Sequence, residues 1–144
     1  MAKINQETKL TKPLSPIKKP RVIYKGFSTK LWEQQGKGFT LTDVEIVKED
    51  LLNHIFTSKG ERVGMPEFGT RIPELAFEPL DASTIGIVEE DLRMVFDYDP
   101  RVQILLLDVK ALPNNNAIVA LCRLQYIELN VEGDLRIEVP IGGN

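Results

Sequence analysis

The apolar residues change their period once, at FDYDPRV, residues 96–102. Upstream, Ile85, Val88, Leu92, Val95 and Phe96 recur at helical spacing, while Glu89, Glu90, Asp91 and Arg93 fall on the opposite face. Downstream, RVQILLLDVKAL and AIVALCRLQYIEL are apolar runs of strand length separated by PNNN, whose asparagines tolerate left-handed backbone. Pro100 disfavours helix at Asp99, so the helix must end by about residue 98. After a second turn at NVEGD, LRIEVPI alternates apolar and polar residues as a shorter third strand, with Pro140 at its end. Strands joined by short turns form an antiparallel meander. The middle one, apolar on both faces, is expected to be central and covered.

A second helix precedes this one. Thr42 and Glu45 make a capping-box pattern ahead of VEIVKEDLLNHIF. Val44, Val47, Leu51 and Ile55 share a face that Leu52 and Phe56 widen, and Gly60 supplies a stop, so the spacing predicts a helix over 43–58. Between the helices, Gly64, Pro66, Gly69, Pro73 and Pro79 divide the chain into short pieces. A turn is expected at Pro66–Gly69 with Phe68 packed inward, and IPELAF suits one or two helical turns with Pro73 in the first. Asp81 or Ser83 can cap the second long helix. The fold class is α+β: two main helices packed on one face of a small antiparallel β-meander, with an extended N-terminal arm.

The arm is read from charge. Residues 1–38 hold nine basic and two acidic residues, an excess of +7 on a chain whose net charge is −3. Pro13, Pro16 and Pro20 stand among lysines with no apolar period to bury. The expected division is therefore an arm over 1–21 and one α+β domain over 22–144. RVIYKGF is a candidate strand added to the body, and WEQQGKGFT a loop. An arm of this kind can meet nucleic acid, an acidic protein surface or its own acidic body. The aromatics of a nucleic-acid platform are sparse, so no nucleic-acid partner is expected.

Few chemistries are offered. No apolar run approaches the roughly 18–20 residues that cross a bilayer, and the polar N-terminus lacks the core of a signal peptide. No membrane partner is expected, and the cytoplasm is the expected site of synthesis and assembly. With one cysteine, Cys122, and one histidine, His54, neither a disulfide framework nor a zinc set is expected. Cys122 reads as buried filler in a strand and His54 as a helix-boundary residue. No nucleotide-loop or nucleophile-elbow motif occurs. A glycosidase-like acid pair would draw on Glu67, Glu74 or Glu78, which read better as solvated or capping acids. No catalytic residue, cofactor or metal is expected. An edge of the meander left open could accept a strand from another chain, unless residues 22–27 or the arm cover it.

Taken in order, TSKGERVGMPEFGTRIPELAFEP and the corner after it resemble the lysozyme-like baseplate wedge proteins of contractile phage tails, found also in type VI secretion and pyocin-like baseplates. The matching residues are Thr57, Gly60 and Arg62; Pro66, Glu67, Phe68 and Gly69; Leu75, Phe77 and Glu78; and Asp99, Pro100 and Arg101. They cover about residues 22–140. The family's acid–Pro–Arg motif usually carries Glu where this chain has Asp99, one methylene shorter. The resemblance implies a non-enzymatic component of the tail baseplate that binds the helical core bundle of the wedge. It further implies a sheet to which the first sheath ring attaches by strand exchange. Asp99, Pro100 and Arg101 become partner-binding residues, with Pro100 fixing the corner and Arg101 presenting its planar donor head. The basic arm would reach neighbouring tube or hub-proximal proteins. A tail-associated peptidoglycan hydrolase using Glu67 or Glu78, and a free cytosolic adaptor of the same fold, are the alternatives.

Overall fold

In the computed structural model, which describes residues 21–28 and 40–142, the period change at Pro100 divides a helical layer from a meander. The order is β1 (Lys25–Phe27), β2 (Thr40–Thr42), α1 (Val44–Ile55), a short 3-10 helix (Ile72–Phe77), α2 (Ala82–Tyr98), β3 (Val102–Leu112), β4 (Ala117–Tyr126) and β5 (Val131–Pro140). The expected arm and most of the WEQQGKGFT loop lie outside the described residues.

The meander forms one antiparallel sheet in the order β3-β4-β5. Val102 pairs with Tyr126 and Ala117 with Pro140, and a bulge between Ile104 and Leu106 shifts the β3–β4 register. β4 is central, as expected, and its core side carries Ile118, Ala120, Cys122, Leu124 and Tyr126, all buried. It is covered on both faces only over Ala117–Ala120. Beyond that, Leu121 and Arg123 on the opposite side are exposed. The turn comes earlier than NVEGD: Asn130, at φ 51, ends it, and β5 begins at Val131. Val131, Leu135, Ile137 and Val139 continue the alternation through Gly133, which makes β5 longer than LRIEVPI.

The helices meet this sheet through one core. Val47, Leu51 and Ile55 of α1 and Val88, Leu92, Val95 and Phe96 of α2 join the inward residues of β4 and β5. Ile46 is also buried, whereas Phe56 is exposed, because α1 stops at Ile55 rather than at residue 58. The capping box does not form. Asp43 occupies the N-cap at φ 51 with no side-chain bond to the helix. Its Oδ1 instead accepts the backbone N–H groups of Ile23 (2.8 Å) and Tyr24 (3.1 Å), fastening the segment ahead of β1 to the start of α1. β1 is a strand, but it pairs with β2 rather than joining the meander.

The second helix follows its sequence closely at the ends. Asp81 caps it, accepting the Thr84 backbone N–H at 2.8 Å, and Tyr98 is its last residue. Thr84's backbone and hydroxyl bonds hold the Asp81 carboxyl below its ordinary pKa. Asp91 departs from expectation. It does not point outward but lies buried, accepting from Arg71 Nε at 3.0 Å and from the Arg71 backbone N–H at 2.6 Å.

Candidate functional site at the helix-to-strand corner

The corner is built by opposing backbone demands. Tyr98 ends α2, Asp99 is extended at φ −91 and ψ 111, and Arg101 enters β3, its carbonyl accepting the Ile127 N–H at 3.0 Å. With Pro100 fixing φ between them, the two charged side chains turn back toward each other. Asp99 Oδ1 accepts the Arg101 backbone N–H and Nε, each at 3.0 Å, and Oδ2 accepts Nη2 at 2.7 Å. The shorter acid therefore still makes a two-pronged bond to its own arginine. Arg101 Nη1 reaches across to Asp50 Oδ2 of α1 at 3.0 Å, and the guanidinium lies 5.6 Å from the centre of the Tyr24 ring.

This locks three parts of the chain to one head: the segment before β1, the outer face of α1 and the corner itself. The side chain of Asp99 is 12% exposed and that of Arg101 26%. Burial alone would push Asp99 up, but Arg101's bonds and charge outweigh it and hold the carboxyl below its ordinary pKa. Bonds from Asp99 and Asp50 push Arg101 higher still, so both charges persist throughout the physiological range. Three of the five guanidinium N–H groups are engaged within the described residues, leaving a fixed and partly open donor head.

The corner forms one wall of a cleft of about 740 Å³ whose other walls are the C-terminal half of α1, with Asp50, Asn53 and His54, and the following loop, with Thr57, Glu61, Arg62 and Phe68. A stack holds that loop in place. Phe68 lies flat on His54, ring centres 3.9 Å apart at 13°; Tyr98 meets His54 edge-on at 5.2 Å; and the Arg62 guanidinium covers Phe68 at 4.5 Å. Phe68 is thus a half-buried cleft wall rather than a core residue. His54 is buried, which depresses its pKa, with Asp99 and Arg62 acting in opposite senses. The loop's tight return requires Gly69. Its φ is +112, and a Cβ there would lie 2.5 Å from the Thr57 carbonyl oxygen.

The candidate acids fall elsewhere. Glu67 lines a smaller depression with Met65 and Met94, while Glu74 and Glu78 line a separate one near the start of α2. All three are exposed. Cys122 is buried, with its thiol pushed up to about 12 by burial. The sequence singled out Asp99, Pro100 and Arg101 as candidates, and the structure brings them together with Asp50 and Tyr24, which the sequence did not single out, beside the His54–Phe68 stack. Asp50 is fifty-one positions from Arg101 and has no local signal.

Compared with known proteins, residues 42–138 match the family model described as baseplate wedge protein gp25. That span holds both helices, the cleft loop, the corner and nearly all of the meander. The chain belongs to the baseplate wedge protein gp25 family. A crystal structure of a Geobacter sulfurreducens protein called a tail lysozyme is similar in fold, with a TM-score of 0.60 at 20% identity over 69% of this chain and 92% of that one. No curated protein sequence matches the chain. Membership places the chain among phage-tail baseplate proteins, and the corner and its cleft lie wholly inside the matched span.

Proposed function

We propose that this gp25-family chain is a non-enzymatic structural piece of a contractile-tail baseplate wedge, and that the Asp99-Pro100-Arg101 corner with its cleft is where it holds the wedge core bundle. One observation carries the reading. Arg101 is anchored on two carboxylates, at 2.7 Å and 3.0 Å, at the wall of an open cleft, so its remaining donors have a set direction before any partner arrives. Pre-orienting a charged head lowers the ordering cost of a contact. The partner surface that fits is a helix end or carboxylate entering between Asn53, Arg62 and Arg101.

The sheet supplies the second contact. No strand of the described residues pairs with the outer edge of β5, and a sheath subunit attaches there by strand exchange. The basic arm continues to neighbouring tube or hub-proximal proteins. The assembly forms in the host cytoplasm and belongs to the tail of the particle.

Co-purification from cells producing the complete tail tests the reading. Tagged wild type brings down wedge and sheath proteins, and Asn53→Arg, which fills the cleft without touching the Arg101 anchor, loses the wedge proteins while its circular dichroism is unchanged. Equal recovery of wedge proteins by a folded Asn53→Arg variant contradicts the role of the cleft. Clearing of peptidoglycan that vanishes on Glu67→Gln or Glu78→Gln substitution contradicts the non-enzymatic assignment.

A further inference from the structure

The two edges of the meander are not alike. The Ile141 N–H bonds the Asn116 carbonyl and the β4–β5 ladder is unbroken, so even-numbered residues of β5 turn their backbone groups outward. Among them Pro140 lacks a donor, and the Asp134 carbonyl already accepts the Lys48 ammonium of α1 at 2.9 Å. Both features discourage a second copy from pairing along the whole strand. Beyond its bulge, β3 carries neither a proline nor such a contact among the described residues. The Ile127 N–H bonds the Arg101 carbonyl, so odd-numbered residues of β4 bond β3. Past the bulge these residues pair with Leu106, Asp108, Lys110 and Leu112, which turns the backbone groups of Leu107, Val109 and Ala111 outward. No strand of the described residues pairs with that edge.

Burial points to the same edge. Leu107 and Val109 pack against the core yet stay half-buried, whereas their β4 neighbours Cys122 and Ala120 are buried. On the solvent side Leu106 is 54% exposed, and Asp108 and Lys110 bond each other at 2.5 Å. The stretch 106–112 is a regular open edge, bounded by the bulge at one end and by Pro113 at the other. It is complementary to itself in one register. A two-fold axis at Val109 sets Val109 against its copy, Leu107 against Ala111, Asp108 against Lys110 and Leu106 against Leu112. Each outward backbone group then meets another, and each charge meets its opposite at cross-strand spacing. Moving the axis to Asp108 or Lys110 brings like charges face to face, and moving it to Leu107 or Ala111 sets a charge against a leucine.

We propose that the free protein dimerises through β3, with residues 106–112 of two copies lying antiparallel about Val109 so that their meanders form one six-stranded sheet. None of these residues lines the cleft, and the β5 edge is not used, so the contact stands apart from the proposed assembly role. Seven residues from each copy make a small interface, and the dimer is weak and reversible.

Sedimentation of the full-length chain, with two charge reversals, tests this. Between about 20 μM and about 1 mM the apparent mass rises from that of one chain toward that of two. The amides of Leu107, Val109 and Ala111 exchange hydrogen several-fold more slowly at the higher concentration. Asp108→Lys and Lys110→Asp each oppose like charges across the axis, and each variant alone stays monomeric with unchanged circular dichroism. An equimolar mixture of the two regains the wild-type rise in mass, because every facing pair is again of opposite sign. A wild-type mass that stays at one chain throughout overturns the proposal. So does a rise in mass without slower exchange at the three amides, dimerisation of either variant alone as strong as that of the wild type, or failure of the two folded variants to dimerise on mixing.

Discussion

Asp91, in the middle of α2, is 1% exposed and takes both the side chain and the backbone N–H of Arg71. Arg71 leads into the 3-10 helix, and a second nitrogen of its head also reaches Glu90 at 2.7 Å. The pair ties the loop that walls the cleft to the helix that ends in the corner. Asp91→Ala leaves the Arg71 backbone N–H without its acceptor and the half-exposed guanidinium with Glu90 alone. The expected cost is about 2–4 kcal/mol, reduced from a fully buried pair by Arg71's exposure. Urea denaturation measures it, and a loss below about 0.5 kcal/mol, the range of ordinary surface substitutions, contradicts the tie.

The two acids on Arg101 differ in weight. Asp50 is 45% exposed in that pair and Asp99 12%. Asp50→Ala is expected to cost under about 1 kcal/mol, as a surface ion pair does, and to leave the corner folded. Arg101→Ala leaves the shielded Asp99 carboxylate with no cation and is expected to cost about 2 kcal/mol or more. Thermal melts of the two variants rank them, and equal melting temperatures contradict the assignment of Asp99 as the principal anchor.

Two loop glycines separate strain from crowding. Both have positive φ, but a Cβ on Gly64 meets open space and one on Gly69 meets the backbone of Thr57 and Ser58. Gly64→Ala is expected to cost about 1–2 kcal/mol, the left-handed penalty alone. Gly69→Ala carries that penalty and a backbone clash, and is expected to cost more than about 3 kcal/mol. Similar urea midpoints for the two would contradict the close return of the loop onto the end of α1.

These comparisons show which features were legible. Asp81, Pro73 and Pro100 act through neighbours within a few residues, so spacing alone narrowed the cap to Asp81 or Ser83 and located a short helical turn and a helix end. Asp91 did not follow its pattern, because a charged residue between Glu90 and Leu92 reads as solvated until Arg71 is seen to arrive from another segment. Thr42 and Glu45 matched a capping box, yet Asp43 left the helix to bind residues 23 and 24, a pairing across twenty positions. Gly133 and the acids around it imitated a turn, although β4 holds them in register as strand. The corner motif was visible as residues, whereas its anchor on Asp50 and the cleft beside it exist only after α1 packs.

His54 makes stability depend on pH. Burial holds its pKa below the ordinary 6.5, so the unfolded chain binds the extra proton and stability rises with pH. The loss begins as pH falls through about 6.5 and is complete below the folded ring's own lower value. His54→Phe keeps an aromatic face for Phe68 and is expected to flatten the change in unfolding free energy between pH 7.5 and 5. An unchanged slope in that variant contradicts a buried neutral imidazole.

The most direct test of the cleft as an assembly contact is site-specific photocross-linking in finished particles, with a photoreactive side chain at Asn53, exposed on the cleft wall. The account predicts one dominant product joining this chain to a wedge core protein, and its loss when Arg101→Ala is combined with the probe in a chain that still folds. Particles that contain the probe-bearing chain but yield no such product, or yield only sheath or tube adducts, would contradict it.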